Sequence, residues 1–218
     1  ANQTATRTGF CGEKLLNTAK WNQMAPFNKY TPNKYPVGCA ATAGAIVMQY
    51  HGYPAKGTGS HSYKWDGKTL TAQFEHEYDW ANMPARYDGT NAADFDGVAR
   101  LMSDLGVAVD MQYAEDGSGS YISDLVAAMQ KYFGYSKISH QMSIEAGSAE
   151  EWNEKLRGEI DANRPVLYAA FDSIGGGHAF VIDGYKDDSF SVNWGWGGLC
   201  NGFYHIGALN PQNEEGKP

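Results

Sequence analysis

The spacing of hydrophobic residues changes once along this chain, close to Arg164, from a helical period to short strand-like runs. Before Arg164, apolar residues that recur every three or four positions predict helices over 40–50, 92–105 and 122–133. After Arg164, β-rich runs separated by Gly and Asp turns cover 165–171, 179–182, 189–194 and 203–206. A helical half followed by an antiparallel sheet half predicts an α+β fold.

Several residues mark where these helices begin and end. Asn91 is a plausible cap for the helix over 92–105, and Gly106 and Gly134 are expected to stop the second and third helices. Ser148 and Glu151 have the spacing of a capping box, which predicts that a fourth helix begins there. These polar and glycine residues therefore support the helices that the periodicity indicates.

The predicted organisation is a single domain over residues 1–218. Two subdomains are expected within it, residues 1–135 mainly helical and residues 136–218 mainly antiparallel β, with a cleft between them. Residues 55–90 are polar, aromatic and aperiodic, and they predict long surface loops.

Composition and charge exclude several classes of partner. The net charge is −8 and no basic stripe is present, so neither nucleic acid nor an anionic membrane is an expected partner. No run of eighteen apolar residues is present, so no membrane span is predicted. The first residues lack the features of a signal peptide, which fits either a cytosolic protein or a processed mature form.

Three cysteines are too few for a disulfide scaffold. A bridge between Cys11 and Cys200, with Cys39 left as a free thiol, stays open because sequence does not show whether their Cα atoms approach. The histidines other than His178 show no metal-ligand spacing, and neither a metal nor a cofactor is expected.

Cys39 opens the small, apolar helix over 40–50, directly after Gly38. A thiol attacks a carbonyl as the thiolate, which a helix N-terminus and a neighbouring imidazolium both stabilise. The Cys39 N–H is also suited to an oxyanion, and Gly38 allows close approach of a substrate. A lone cysteine in this setting is more often a small core residue, so the catalytic interpretation depends on its partners.

Two candidate partners follow at a meaningful distance. His178 lies 139 residues after Cys39 and Asn193 lies 154 after it, close to the roughly 130–150 residues of papain-like thiol hydrolases. His178 is suited to general acid–base work, and the Asn193 side chain is predicted to orient its imidazole. Trp194 and Trp196 are predicted to wall the cleft and shield that hydrogen bond, and the glycines at 175–177 leave a bare edge for an extended peptide.

Whole blocks of the chain resemble the streptopain-like cysteine peptidases of the C10 family. The blocks that carry the resemblance are 35–43, 48–54, 176–184, 192–198, 202–203 and 208–211, and the similarity extends from residue 21 onward. The resemblance implies a papain-like fold and a bacterial enzyme that is secreted, periplasmic or at the cell surface. It also implies synthesis as a zymogen whose own pro-domain inhibits it before maturation.

The resemblance also implies roles for particular residues. By motif position, Cys39 is the nucleophile, His178 the base and acid, and Gln23 the side-chain donor of the oxyanion hole. Asn193 and Trp194 match the pair that positions and shields the histidine. The positions where family members bind the substrate backbone are Gly177, Gly117, Ser118 and Gly119.

The predicted function is a cysteine endopeptidase that acts on protein or peptide substrates through an acyl-enzyme thioester, and a monomer is expected. Two alternatives stay open at this point. One is an acyl or peptidyl transferase that uses the same thiol. The other is an inactive paralogue that holds a peptide or a sugar in an aromatic groove.

Overall fold

The computed structural model describes residues 11–136, 138, 142–171 and 176–211. Its helices are α1 (Cys39–His51), α2 (Asp96–Ala108), α3 (Ile122–Phe133) and α4 (Ala149–Asp161). Its strands are β1 (Glu13–Leu15), β2 (Ser60–Trp65), β3 (Lys68–Gln73), β4 (Val166–Phe171), β5 (Gly177–Lys186), β6 (Ser189–Asn193) and β7 (Gly202–Tyr204). The order of these elements confirms the predicted α+β class.

Helix α1 connects the two halves of the fold. Every residue from Ala40 to Met48 is buried, because the helix packs against α2 and α3 on the helical side and against β4 and β5 on the sheet side. Small side chains permit this close packing, and a Cβ on Gly44 would lie 2.8 Å from the Leu125 side chain. The cysteine at the start of α1 is therefore carried by one of the most enclosed elements of the protein.

The main sheet is antiparallel and is organised around β5. Strand β6 pairs with one edge of β5 and in turn with β7, while β4 and β1 pair with different stretches of the other edge. The pairing of β5 with β6 runs from Val181, opposite Asn193, to Lys186. The first residues of β5 therefore extend beyond β6, toward α1.

The buried side chains form two clusters. The larger cluster takes its members from residues 19–133 and from Val181, and the smaller one from Leu16 and residues 156–194. No helix in the described parts of the chain is both long and apolar enough to cross a bilayer.

Of the four predicted helix boundaries, two are confirmed and two are wrong. Gly134 ends α3 with a left-handed backbone (φ 70°), and the Ser148 hydroxyl accepts a hydrogen bond of 3.1 Å from the Glu151 N–H at the start of α4. Helix α2 begins at Asp96, after a short 3₁₀ helix (Ala92–Phe95), and the Asn91 side chain caps neither of them. Helix α2 continues past Gly106 to Ala108. Gly106 is small because a Cβ there would collide with the Tyr113 hydroxyl, so this glycine serves packing and does not end the helix.

The expectation of long surface loops over 55–90 is wrong in part, because β2 and β3 form a hairpin there. Its two-residue turn is Asp66-Gly67, with φ of 47° and 72°, and Asp-Gly is a favoured pair for such turns. Tyr63 and Trp65 are buried, whereas Ser62 and Lys64, which alternate with them, are exposed. The signal was therefore an alternating run that ends at an Asp-Gly turn.

Candidate active site

Cys39 is the first residue of α1 and is half-buried. The helix begins from Gly38, whose φ of 95° favours glycine, and its first hydrogen bond joins the Thr42 N–H to the Gly38 carbonyl at 3.0 Å. The N–H groups of Cys39, Ala40 and Ala41 precede that bond and concentrate partial positive charge around the thiol. This is a setting in which a thiolate is stabilised.

The loop at residues 117–119 lies beside the start of α1. The Ser118 hydroxyl donates a hydrogen bond of 2.6 Å to the Pro36 carbonyl, and a Cβ on Gly38 would lie 3.1 Å from the Ser118 carbonyl oxygen. Gly119 is tied in turn to Gln112 by two backbone hydrogen bonds of 3.0 and 3.1 Å. The predicted substrate-binding loop is thus held next to the cysteine.

Gln23 lies on a loop that is bonded to the residues just before Cys39. Its carbonyl accepts a hydrogen bond of 2.9 Å from the Val37 N–H, and its own N–H donates to Asn22 Oδ1 at 2.6 Å. Gln23 is half-buried. The bond to Val37 holds the Gln23 backbone beside the segment that leads into α1, two positions before Cys39.

His178 lies on β5, opposite Ala170 of β4, and its imidazole is oriented by a backbone group. Nε2 lies 2.9 Å from the Trp194 carbonyl oxygen. Since a carbonyl only accepts, Nε2 carries the proton, and in the neutral ring Nδ1 is left with a free lone pair. Burial lowers the pKa of His178 below its usual 6.5, and the Trp194 carbonyl opposes that effect.

Aromatic rings enclose the imidazole. The centroid of the Trp196 ring lies 4.9 Å from that of His178, and the rings of Trp194 and Phe180 lie at 6.0 and 6.1 Å. Trp194 is buried, with its indole N–H donating to the Cys200 carbonyl at 3.0 Å. These rings surround the imidazole and contribute to its burial.

The turn that carries Trp194 packs on the first turn of α1. A Cβ on Gly195 would lie 3.0 Å from Cγ2 of Thr42, which is one helical turn from Cys39. Gly195 has a positive φ of 73°, so its backbone form and its close approach both favour glycine. This contact places the residue bonded to His178 against the helix that begins at Cys39.

Asn193 makes different contacts from those predicted. Its amide nitrogen donates to Thr18 Oγ1 at 3.0 Å and to the Ala19 carbonyl at 2.8 Å, and its oxygen accepts from the Gly195 N–H at 3.2 Å. The amide thus fixes the backbone on both sides of Trp194, whose carbonyl bonds the imidazole. Asn193 therefore influences His178 through the turn at 193–195.

Two residues that were not predicted from sequence, Thr18 and Asp183, continue this network. The Thr18 hydroxyl accepts from Asn193 and donates to Asp183 Oδ2, and the Asp183 carboxyl is buried. Burial raises the pKa of Asp183, and the Thr18 hydroxyl opposes that effect. The sequence signal for Asp183 was a carboxyl group directly after an apolar run, whereas Thr18 lies between Asn17 and Lys20 and has no such signal.

Three further expectations concern a disulfide bridge, the substrate-binding residue Gly177 and metal ligands. Cys11 and Cys200 are both free thiols, so the bridge between them is not formed. Gly177 is exposed at the start of β5, and residue 175 of the glycine run lies outside the described residues. Within the described ranges, no group of three or more His, Cys, Asp and Glu is arranged to hold a metal ion.

The chain is similar to known proteins along most of its length. The sequence profile of the peptidase C10 family matches residues 21–204. Streptopain of Streptococcus pyogenes is 34% identical over 216 residues, an alignment that covers 88% of this chain and 54% of streptopain. The chain thus spans about half the length of this curated relative.

Two solved structures from Prevotella intermedia are similar along most of the chain. The active wild-type interpain A cysteine protease matches with a TM-score of 0.84 and 38% identity, covering 93% of this chain and 89% of that chain. A prointerpain A fragment matches with a TM-score of 0.80 and 38% identity, covering 94% of this chain and 68% of that chain. The α+β arrangement found here is therefore the fold of a known cysteine protease.

Proposed function

Because this chain belongs to the peptidase C10 family, we propose that it is a cysteine endopeptidase with Cys39 as nucleophile and His178 as general base and acid. The observation that carries the proposal is the bond from His178 Nε2 to the Trp194 carbonyl. It fixes the tautomer whose Nδ1 is free to take a proton from the thiol.

The proposed reaction begins when the Cys39 thiol gives its proton to Nδ1 of His178. The thiolate attacks the substrate carbonyl, and the oxyanion accepts hydrogen bonds from the Cys39 N–H and the Gln23 side-chain amide. His178 then protonates the leaving amine as the C–N bond breaks, which leaves a thioester on Cys39. Water, deprotonated by His178, hydrolyses the thioester and restores the thiol.

The substrate backbone is proposed to lie along Gly177 and the loop at 117–119. Support comes from the free edge of β5, because β6 pairs only as far as Val181 and leaves 177–180 without a described strand on that side. An extended peptide has the backbone groups to pair there. Trp196 would then form a wall of the cleft beside the imidazole.

Maturation, location and assembly are further parts of the proposal. The similarity to a prointerpain A fragment supports synthesis with an inhibitory pro-domain, and the bacterial relatives support a secreted, periplasmic or surface-bound bacterial enzyme. We also propose that residues 1–218 form one catalytic domain and that it is a monomer. Light scattering should then give a mass near 23.8 kDa.

The test of this function is casein cleavage by the wild type, Cys39→Ala and Cys11→Ala. Cys11 is an exposed thiol and serves as the matched control. We expect Cys39→Ala alone to lose activity, and product analysis with an added amine should give free carboxylates, as expected for hydrolysis. Digestion by Cys39→Ala at the wild-type rate would overturn the proposal, and amide products would favour acyl transfer.

A further inference from the structure

A cavity of about 430 Å³ lies next to Trp196. It is lined by residues from three segments of the chain, which lie within 20–27, 86–87 and 196–199. The backbone at Gly197 and Gly198 approaches the opposite wall closely, since a Cβ on Gly197 would lie 3.2 Å from Asn22 Nδ2. The turn after Trp196 and the loop that carries Gln23 thus both line the cavity and approach each other at Gly197 and Asn22.

The charged side chains that line this cavity are both cationic, Lys20 and Arg86, and no Asp or Glu lines it. Their backbones are neighbours in a parallel bridge, with the Lys20 N–H bonded to the Ala85 carbonyl at 2.7 Å. Both residues are exposed, and among the described residues no carboxylate lies within the 4.0 Å of a salt bridge to either. Two cations thus line one cavity in a protein of net charge −8, and the Asp183 carboxylate that interacts with Lys20 at longer range is buried.

The cavity begins at the candidate active site. Trp196 lines it and also contacts the imidazole of His178, and Asn22 lines it directly before Gln23. The residues proposed to bind the substrate backbone, Gly177 and 117–119, do not line it, and we assign them to the acyl part of the substrate. A peptide whose acyl part occupies those residues would place its leaving segment over Trp196 and into the cavity.

We propose that this cavity is a substrate subsite that takes an acidic side chain from the first or second residue after the scissile bond. The inference rests on the proposed peptidase function and adds a substrate class to it. Lys20 and Arg86 supply the charge, and the faces of Trp196 and Tyr87 contact the aliphatic part of a Glu or Asp side chain. Arg86 also offers a planar donor pair that matches a carboxylate.

Cleavage of matched peptides tests the subsite. A peptide library read by mass spectrometry first identifies a cleaved sequence, and synthetic versions then carry Glu, Gln or Lys at either position after the scissile bond. We expect kcat/KM for Glu to exceed that for Gln by about three- to tenfold, as befits two partly exposed ion pairs. The preference should fall in 1 M salt, where the Debye length is about 3 Å.

Variants assign the preference to the cavity. Lys20→Met combined with Arg86→Met should bring the ratio of Glu to Gln close to one, whereas Lys68→Met, which removes an exposed cation from β3, should leave it unchanged. A ratio of one in the wild type, or a preference that survives the double variant, overturns the subsite while Gln peptides are still cleaved. Failure to cleave any peptide overturns the proposed function together with the subsite.

Discussion

The Trp194 carbonyl oxygen lies 2.9 Å from Nε2 of His178 and fixes the orientation of that imidazole. A backbone carbonyl does not titrate, so it keeps a proton on Nε2 and holds the ring in one orientation whether the imidazole is neutral or charged. The carbonyl is itself held in place by Asn193, which bonds the Gly195 N–H on one side and Thr18 and Ala19 on the other. Orientation of the candidate general base thus depends on a fixed turn.

The imidazole of His178 should titrate below its usual pKa of 6.5 when the thiol is absent, because burial disfavours the charged ring. The measurement is an NMR titration of Cys39→Ala, with the His178 resonance identified by its loss in the Cys39→Ala/His178→Gln variant. A lowered pKa means that the unfolded chain binds more protons, so this group removes stability as the pH falls below 6.5. A pKa above 6.5 would contradict the account of the site.

Replacement of Thr18 by Val should weaken both stability and catalysis. The variant keeps the shape of the side chain but removes the acceptor of Asn193 and the donor to Asp183, and buried unpaired groups cost about 1–3 kcal/mol. A looser turn at 193–195 should also lower kcat. Denaturant unfolding and peptide kinetics measure the two effects.

The matched control for this variant is Tyr135→Phe, which deletes a hydroxyl bonded to the Tyr53 carbonyl far along the chain from the turn. It should retain wild-type kcat. If Thr18→Val lost stability but kept full kcat, the hydrogen bonds that join Thr18 to Asn193 and Asp183 would have no role in positioning the imidazole.

Replacement of Gly38 by Ala should disturb the start of α1. Its φ of 95° strains any L side chain, and the new Cβ would lie 2.5 Å from the Met111 sulfur. We expect a loss of about 2–4 kcal/mol in the free energy of unfolding and a fall in kcat/KM. Gly59→Ala is the control, since Gly59 also has a positive φ of 70° but faces open space. Equal losses in the two variants would argue against close packing at Gly38.

Replacement of Gln23 by Ala should reduce kcat by roughly 10²–10³-fold, the usual effect of removing one side-chain donor from an oxyanion hole. KM should change little, because the bond forms to the oxyanion and not to the ground-state carbonyl. Gln73→Ala, at the exposed end of β3, serves as the control. An unchanged kcat would remove Gln23 from the proposed oxyanion hole.

Sequence predicted the elements whose signals are local. Gly134 and Ser148 mark helix ends through backbone conformation and capping, and both act within one helical turn. The hairpin around Asp66 and Gly67 was missed because only two of the six residues of β2, Tyr63 and Trp65, are apolar, which makes the alternation short. Strand β1 has only three residues, and its pairing partner β5 lies near the other end of the chain.

The hydrogen bonds within the site were harder to predict than the residues that form it. The acceptor of His178 is a main-chain carbonyl, which carries no mark of residue type. One partner of Asn193 is Thr18, 175 residues earlier in the chain. A single threonine in a sequence does not indicate such a long-range contact. Spacing therefore pointed to Asn193 but not to what its amide does.

The most direct test of the central claim is the detection of an acyl group on Cys39 during turnover. The wild type, mixed with a peptide ester and quenched in acid, is analysed as intact protein and after digestion by mass spectrometry. We expect one acyl adduct per chain, mapped to Cys39. It should be present during turnover, disappear once the ester is consumed, and be absent from Cys39→Ala. Turnover with no adduct, or with the adduct on another residue, would contradict the central claim.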